Sequence, residues 1–282
     1  LKHGIIIAYF KHAPCSQSIS RRKRNYLNKK STQKGPITGI KKTDVRFLWP
    51  VSPLKLEDGI FRRHMHYHDY GSYITAFLAS FIGVIGGPEA TAVANLAGAL
   101  AGIMMSCDSV GPEGQSLRTG VSSDSQSLWV ESLILQAIAR NMHIPTDSEA
   151  YVKGRPLTKM HLYEVAARAL TTVVSGCGLM GGTRTVKTME VLNRCTPLDA
   201  VLMAEVVRGA AGMKREDAND LVKQLLARYE DDLLTPWEGL PNGPGVNFDE
   251  MYDLETLKPK KECLAVHEKV RQELENIGVP LK

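Results

Sequence analysis

Between Tyr73 and Val191 one pattern recurs four times: an apolar run, a small polar or Gly-rich loop, then a longer stretch with helical character. The runs are Ile74–Ile85, Leu117–Val121, Met142–Ile144 and Leu170–Val174. The loops that follow them are Gly86-Gly87-Pro88-Glu89, Ser122-Ser123-Asp124-Ser125, Thr146-Asp147-Ser148-Glu149 and Ser175-Gly176-Cys177-Gly178. Strands alternating with helices in this way predict βα units and a parallel sheet. In closed (β/α)8 barrels the chemistry sits on the loops after the strands. Four units are half of such a barrel, so the expected fold is α/β, about half a TIM-type barrel followed by C-terminal helices.

The helical stretches carry their own punctuation. Ala90, Val93, Ala94, Ala97, Leu100, Ala101 and Met104 fall at i, i+3, i+4 spacing and predict a core-facing stripe. Pro88 and Glu89 suit its first turn, where a missing N–H and a negative charge are both accommodated. Asp124 or Ser125 is expected to cap a helix over 126–140, and Thr158 one over 159–170. Further helices are expected from Pro197 towards Ala210, from Lys214 to Tyr229, and from Glu262 to Ile277. Pro236, Gly239, Pro241, Gly243, Pro244 and Gly245 mark a loop.

Charge divides the chain at about the start of this pattern. Residues 1–63 hold 15 basic and 3 acidic side chains, a net of +12. The remainder holds 20 basic and 27 acidic, a net of −7, so the overall +5 describes neither part. The organisation expected is a basic extension over 1–63, poorly ordered, and a globular portion over 64–282. Arg21-Arg22-Lys23-Arg24, Lys29-Lys30 and Lys41-Lys42 are compatible with a nucleic-acid-binding arm or with a solvated tail. Sparse aromatics favour the tail. Five cysteines, at 15, 107, 177, 195 and 263, make no CxxC spacing. Free thiols in a reducing, cytoplasmic setting are the simplest expectation. No apolar run reaches the length of a membrane-spanning helix.

Several groups of residues have the right chemistry for a site. His64, His66 and His68 alternate ahead of Asp69; on a strand they would share a face able to hold a divalent metal, as in a metal-dependent barrel hydrolase. The same residues also suit a polar strand start or loop. Gly86-Gly87 and the glycines of 176–182 suit a phosphate cradle or a tight strand-to-helix turn. Cys177 beside them is either a low-pKa nucleophile or a buried structural thiol. Glu149 and Tyr151, one residue apart after the third strand, can converge on a small cation, one by charge and one by hydrogen bond. Glu89 and Glu164 are expected to cap or line helices.

A set of ordered matches runs through the globular portion. It comprises His66-Tyr67, Ile82-Gly83-x-x-Gly86-Gly87-x-Glu89, Gly111-Pro112 and Pro156-x-Thr158-x-Met160-x-Leu162-x-Glu164. Ser175-Gly176, Thr188-Met189-Glu190 and Met203-x-Glu205-Val206-x-Arg208-x-x-x-Gly212 continue it. Tyr229-Glu230, Phe248-x-Glu250-x-Tyr252-Asp253 and Leu274-Glu275-x-x-Gly278 complete it. On these residues the chain resembles the monomethylamine methyltransferases of methylotrophic methanogens, with residues 1–60 outside the resemblance.

The resemblance implies a (β/α)8 barrel in a homo-oligomer. It implies transfer of a methyl group from monomethylamine to the cobalt of a corrinoid carried by a cognate partner protein. No cofactor is then bound directly, and neither a membrane nor a nucleic acid is implied as a partner. The family's pyrrolysine offers an imine carbon to the amine; its position lies upstream of the matching region. The family's substrate-site Gln and Tyr fall on Glu149 and Tyr151, the amide having become an acid. A family carboxylate falls near Ala76, where no acid stands. The expectation is therefore a C-terminal portion of such an enzyme, catalytically incomplete alone, with Tyr151 and Glu149 as its catalytic and substrate-binding residues and no metal site.

Overall fold

The structure, a computed structural model, describes residues 45–48, 58–185, 195–236, 239–240 and 245–282. The basic clusters at 21–24, 29–30 and 41–42, the match at 188–190, and the turn residues Pro241, Gly243 and Pro244 lie outside the described residues.

Five strands alternate with helices: β1 (Val45–Leu48), α1 (Asp58–Asp69), β2 (Tyr73–Ile82), α2 (Pro88–Met104), β3 (Ser109–Ser116) and α3 (Ser125–Asn141). β4 (Asp147–Val152), α4 (Lys159–Val174), β5 (Leu179–Thr185), α5 (Pro197–Ala210) and α6 (Arg215–Leu226) follow. A 3-10 turn (Glu230–Leu234), α7 (Phe248–Met251) and α8 (Lys261–Asn276) close the chain. Every strand pairing among these strands is parallel, as βα alternation requires. The boundary expected at residue 63 falls inside α1, and β1 precedes it.

The helix ends follow local chemistry. The Asp124 carboxylate accepts the N–H groups of Gln126 and Ser127, and Thr158 Oγ1 accepts that of His161. Thr196 and Asp199 form a reciprocal capping box in front of α5. Three expected strands are misplaced. Residues 117–121 form the turn after β3, 142–144 precede β4, and Leu170–Val174 is the last part of α4. β3 (SVGPEGQS) and β5 (LMGGTRT) are rich in glycine and polar residues and β4 (DSEAYV) begins with three polar residues, so apolar runs could not mark them. The loop expected to hold Glu149 is strand β4 itself.

Helix α2 inverts its expected face. Val93 and Met104 are 69% and 85% exposed, whereas Thr91, Asn95, Gly98 and Gly102 are buried. The reason is close approach to the sheet: a Cβ on Gly102 would sit 2.6 Å from the Ala76 Cβ, and one on Gly98 2.9 Å from Leu78. At the other end of the chain, a Cβ on Gly209 would meet the Pro280 carbonyl oxygen at 2.0 Å, so only glycine lets the C-terminal residues lie against α5. Lys282 N–H then donates to the Glu205 carbonyl, and Val279 is buried.

The strands divide into two sheets, β1-β2-β3 and β4-β5, which touch through a single parallel bridge between Val110 and Thr146. Beyond that bridge the seam between β3 and β4 is filled by Arg168 of α4. Its side chain is fully buried and donates to the Glu149 and Ser122 carbonyls at 3.1 and 3.3 Å and to Ser148 Oγ at 2.9 Å. A guanidinium thus satisfies acceptors that ladder partners would otherwise have to satisfy. Two apolar cores flank the sheets, one between β2–β3 and α2–α3, the other among α4, α5, α6 and α8. Among the described residues no helix is long and apolar enough to cross a membrane.

Candidate functional site

Strand periodicity puts Asp147, Glu149 and Tyr151 on one face of β4. On β5 the register against β4 slips: Ser148 pairs with Met180, but Ala150 pairs with Thr183. Two glycines, Gly181 and Gly182, therefore oppose Glu149 alone, which is a β-bulge. Gly182 takes φ +103°, open to glycine but not to bulky residues, and a Cβ on Gly181 would lie 2.9 Å from Glu149 Cγ. The glycines expected as a turn or a phosphate cradle instead make room for a carboxylate.

The bulge also directs Arg184 onto that carboxylate. Arg184 Nε stands 2.7 Å from Glu149 Oε2, and Nη2 donates to Oε1 at 2.9 Å, a two-point pairing. The same guanidinium carbon lies 5.8 Å from the centre of the Tyr151 ring, within cation–π range. The cation beside Glu149 and Tyr151 is thus the chain's own Arg184. Burial raises the pKa of the Glu149 carboxyl, and Arg184 opposes that rise. Burial also raises the Tyr151 phenol, reinforced by the nearby Glu113 and Glu149 carboxylates, so the phenol is a hydrogen-bond donor and not a base.

A second layer lies beneath. Arg168 Nη2 is 3.0 Å from Glu131 Oε1 and 3.6 Å from Glu113 Oε1, with all three side chains fully buried. Among the described residues Glu113 finds no hydrogen-bond partner for either carboxyl oxygen, and burial drives its pKa well above the usual carboxylate range. Asp147 Oδ1 accepts the Thr75 hydroxyl at 3.0 Å, and burial pushes that carboxyl up to about 7. Four acids and two arginines are thus gathered where the strands meet.

The remaining sequence candidates fall elsewhere. His64, His66 and His68 lie on helix α1 and not on a strand; His64 is buried at i+4 from buried Ile60, while His68 is exposed. On a helix His66 points away from His64 and His68, so the face shared by all three does not form. Among the described residues no group of three or more His, Cys, Asp or Glu side chains is arranged to hold a metal. Cys177 donates its thiol to the Leu179 carbonyl at 2.9 Å, and burial pushes it up to about 12, as suits a structural thiol. The Glu164 carboxylate is buried and accepts the N–H groups of Lys153 and Gly154 and the Ser123 hydroxyl, tying α4 to β4. Arg184, Arg168 and Glu113 went unread in the sequence. The available signal was a charge inside an apolar helical stretch, as with Arg168 in 165–170.

Residues 29–279 match the family described as Monomethylamine methyltransferase MtmB. Monomethylamine methyltransferase MtmB3 of Methanosarcina barkeri is 28% identical over 200 residues, covering 71% of this chain and 42% of the relative. MtmB2 of Methanosarcina acetivorans is 26% identical over 243 residues, covering 86% and 52%. The chain thus spans about half the length of the curated relatives it matches. The crystal structure of the Methanosarcina barkeri enzyme superposes with a TM-score of 0.79 at 22% identity, over 87% of this chain and 52% of that one.

Proposed function

Because the chain belongs to the monomethylamine methyltransferase MtmB family, we propose that it forms part of an enzyme that moves the methyl group of monomethylamine to the cobalt of a corrinoid. The match over residues 29–279 carries this reading. The parallel βα units are read as the later half of a (β/α)8 barrel, which agrees with coverage of about half of each relative. The corrinoid is carried by a cognate partner protein, so no cofactor is assigned to this chain. The assembly is a cytoplasmic homo-oligomer.

Breaking a C–N bond is slow because an amine leaves poorly, so holding and orienting the substrate is most of the task. Glu149 and Tyr151 are the residues assigned to it. Their shared face on β4, the buried carboxylate and the phenol that keeps its proton support an amine-holding role. The group that activates the amine is expected from sequence outside these 282 residues. The metal-hydrolase reading draws less support, because His64 and His66 point to different sides of α1.

A methyl-transfer assay tests the proposal. The chain alone, given monomethylamine and reduced corrinoid protein, should give no turnover. Co-expression with the first half of the Methanosarcina barkeri enzyme should restore it, and Tyr151→Phe should weaken the restored activity. Turnover by the chain alone refutes the incompleteness; failure of every complemented pair refutes the function.

A further inference from the structure

Glu149 and Tyr151 offer what a small organic cation needs, a carboxylate with two acceptor oxygens and an aromatic face. Both are already in use. Arg184 takes the two Glu149 oxygens at 2.7 and 2.9 Å and lies 5.8 Å from the Tyr151 ring centre. The arginine side chain is 33% exposed and the glutamate 5%, so the guanidinium lies towards solvent and the acid beneath it. A carboxylate already paired with a guanidinium offers a second cation little net negative charge. The arm is attached at the penultimate residue of β5, two residues beyond a bulge that breaks the strand's register.

We propose that Arg184 is a tethered stand-in for the cationic ligand of this site, so that the chain holds its own site closed and admits an alkylammonium only when the Arg184 side chain swings out. This rests on reading Glu149 and Tyr151 as the amine-holding pair. Opening exchanges one cation for another on the same carboxylate and breaks no covalent bond. Affinity for an external cation is reduced by the fraction of molecules in which the arm is out. Minor states of this kind are populated at about 0.1–10%. Removing the arm should therefore tighten binding by about 10- to 1,000-fold.

The test is calorimetric titration of the full chain with methylammonium chloride, at about pH 8 so that the buried Glu149 carboxyl ionises readily on binding. Arg184→Gln should bind at least about tenfold more tightly than the unsubstituted chain. Free guanidinium should compete with methylammonium in the variant. Glu149→Gln added to Arg184→Gln should abolish the gain. Arg184→Lys, which keeps a cation but loses the two-point geometry, should give an intermediate gain and serves if Arg184→Gln fails to fold. Equal or weaker binding in every folded Arg184 variant overturns the self-closure. If the unsubstituted chain nevertheless binds methylammonium in a Glu149-dependent way, the amine-holding assignment survives that loss. A gain that persists without Glu149 places the cation elsewhere and overturns both.

Discussion

Replacing Arg168 with Met keeps the bulk of the side chain and removes its charge and donors. In the folded chain this strands the Glu131 carboxylate, now 3.0 Å from the guanidinium, and takes the nearest cation from Glu113. It also leaves the Glu149 and Ser122 carbonyls and Ser148 Oγ without their donor. Breaking a buried ion pair by removing one partner costs about 3–5 kcal/mol, mostly the penalty of an uncompensated buried charge. At roughly 2–4 °C per kcal/mol for a domain of this size, Arg168→Met should lower the melting temperature by about 6–20 °C. The deficit should also depend on pH. Burial already raises the Glu113 and Glu131 carboxyls above their ordinary values, and loss of the arginine raises them further. A carboxyl whose folded pKa is raised binds protons more tightly in the folded state, so stability falls as pH rises from the unfolded pKa towards the folded one. The variant should therefore recover part of its loss as pH falls from neutral towards the ordinary carboxylate pKa, and Glu131→Gln in the same chain should recover part of it at neutral pH. Thermal melts by circular dichroism across that range decide the matter. A melting point within about 2 °C of the unsubstituted chain at every pH, with no gain from Glu131→Gln, would refute the account of the seam.

Asp147, pushed up to about 7, should make the chain less stable as pH rises from about 4 through 7; Asp147→Asn should flatten that part of a urea-denaturation profile. Asp124→Ala removes the cap that accepts two N–H groups of α3 and should cost about 0.5–2 kcal/mol in the same assay. The Cys177 thiol, pushed up to about 12, should react with iodoacetamide slowly at neutral pH, and denaturant should accelerate its labelling.

Three helix starts were legible because their signals are local, whereas α1 was read as a strand or loop. Asp124, Thr158 and Pro197 announce helix starts through contacts within three residues, and those starts stand as read. The strands were not, because the strands that carry the site are polar: Glu113, Asp147, Glu149 and Arg184 occupy positions where a core strand would place Val or Ile. The β-branched run at 171–174 looked like a strand and is the end of α4, whose burial on nearly every side overrides propensity. On α2 the larger apolar residues face outward because the sheet lies too close for them, and glycine, alanine and asparagine take the inner face. Glu149 and Tyr151 stood out by residue type and spacing, and the resemblance then set the family's substrate-site pair on them. Their partner Arg184 lies 35 residues from Glu149, and Arg168 lies 37 from Glu131, separations at which one sequence carries no pairing signal.

The contact between Gly209 and Pro280 bears on how the chain is made. The groove left on α5 by the missing side chain is filled by a residue 71 positions later. Val279 is 2% exposed against the core built by α4, α5, α6 and α8, so that core cannot close while the tail is still inside the ribosome. Earlier units satisfy much of their packing locally, strand against the next helix, and are free to form in order as they emerge. Completion of the helical half therefore waits until residue 280 has emerged, and a nascent chain stalled before residue 279 would expose the apolar face of α5 that this segment covers.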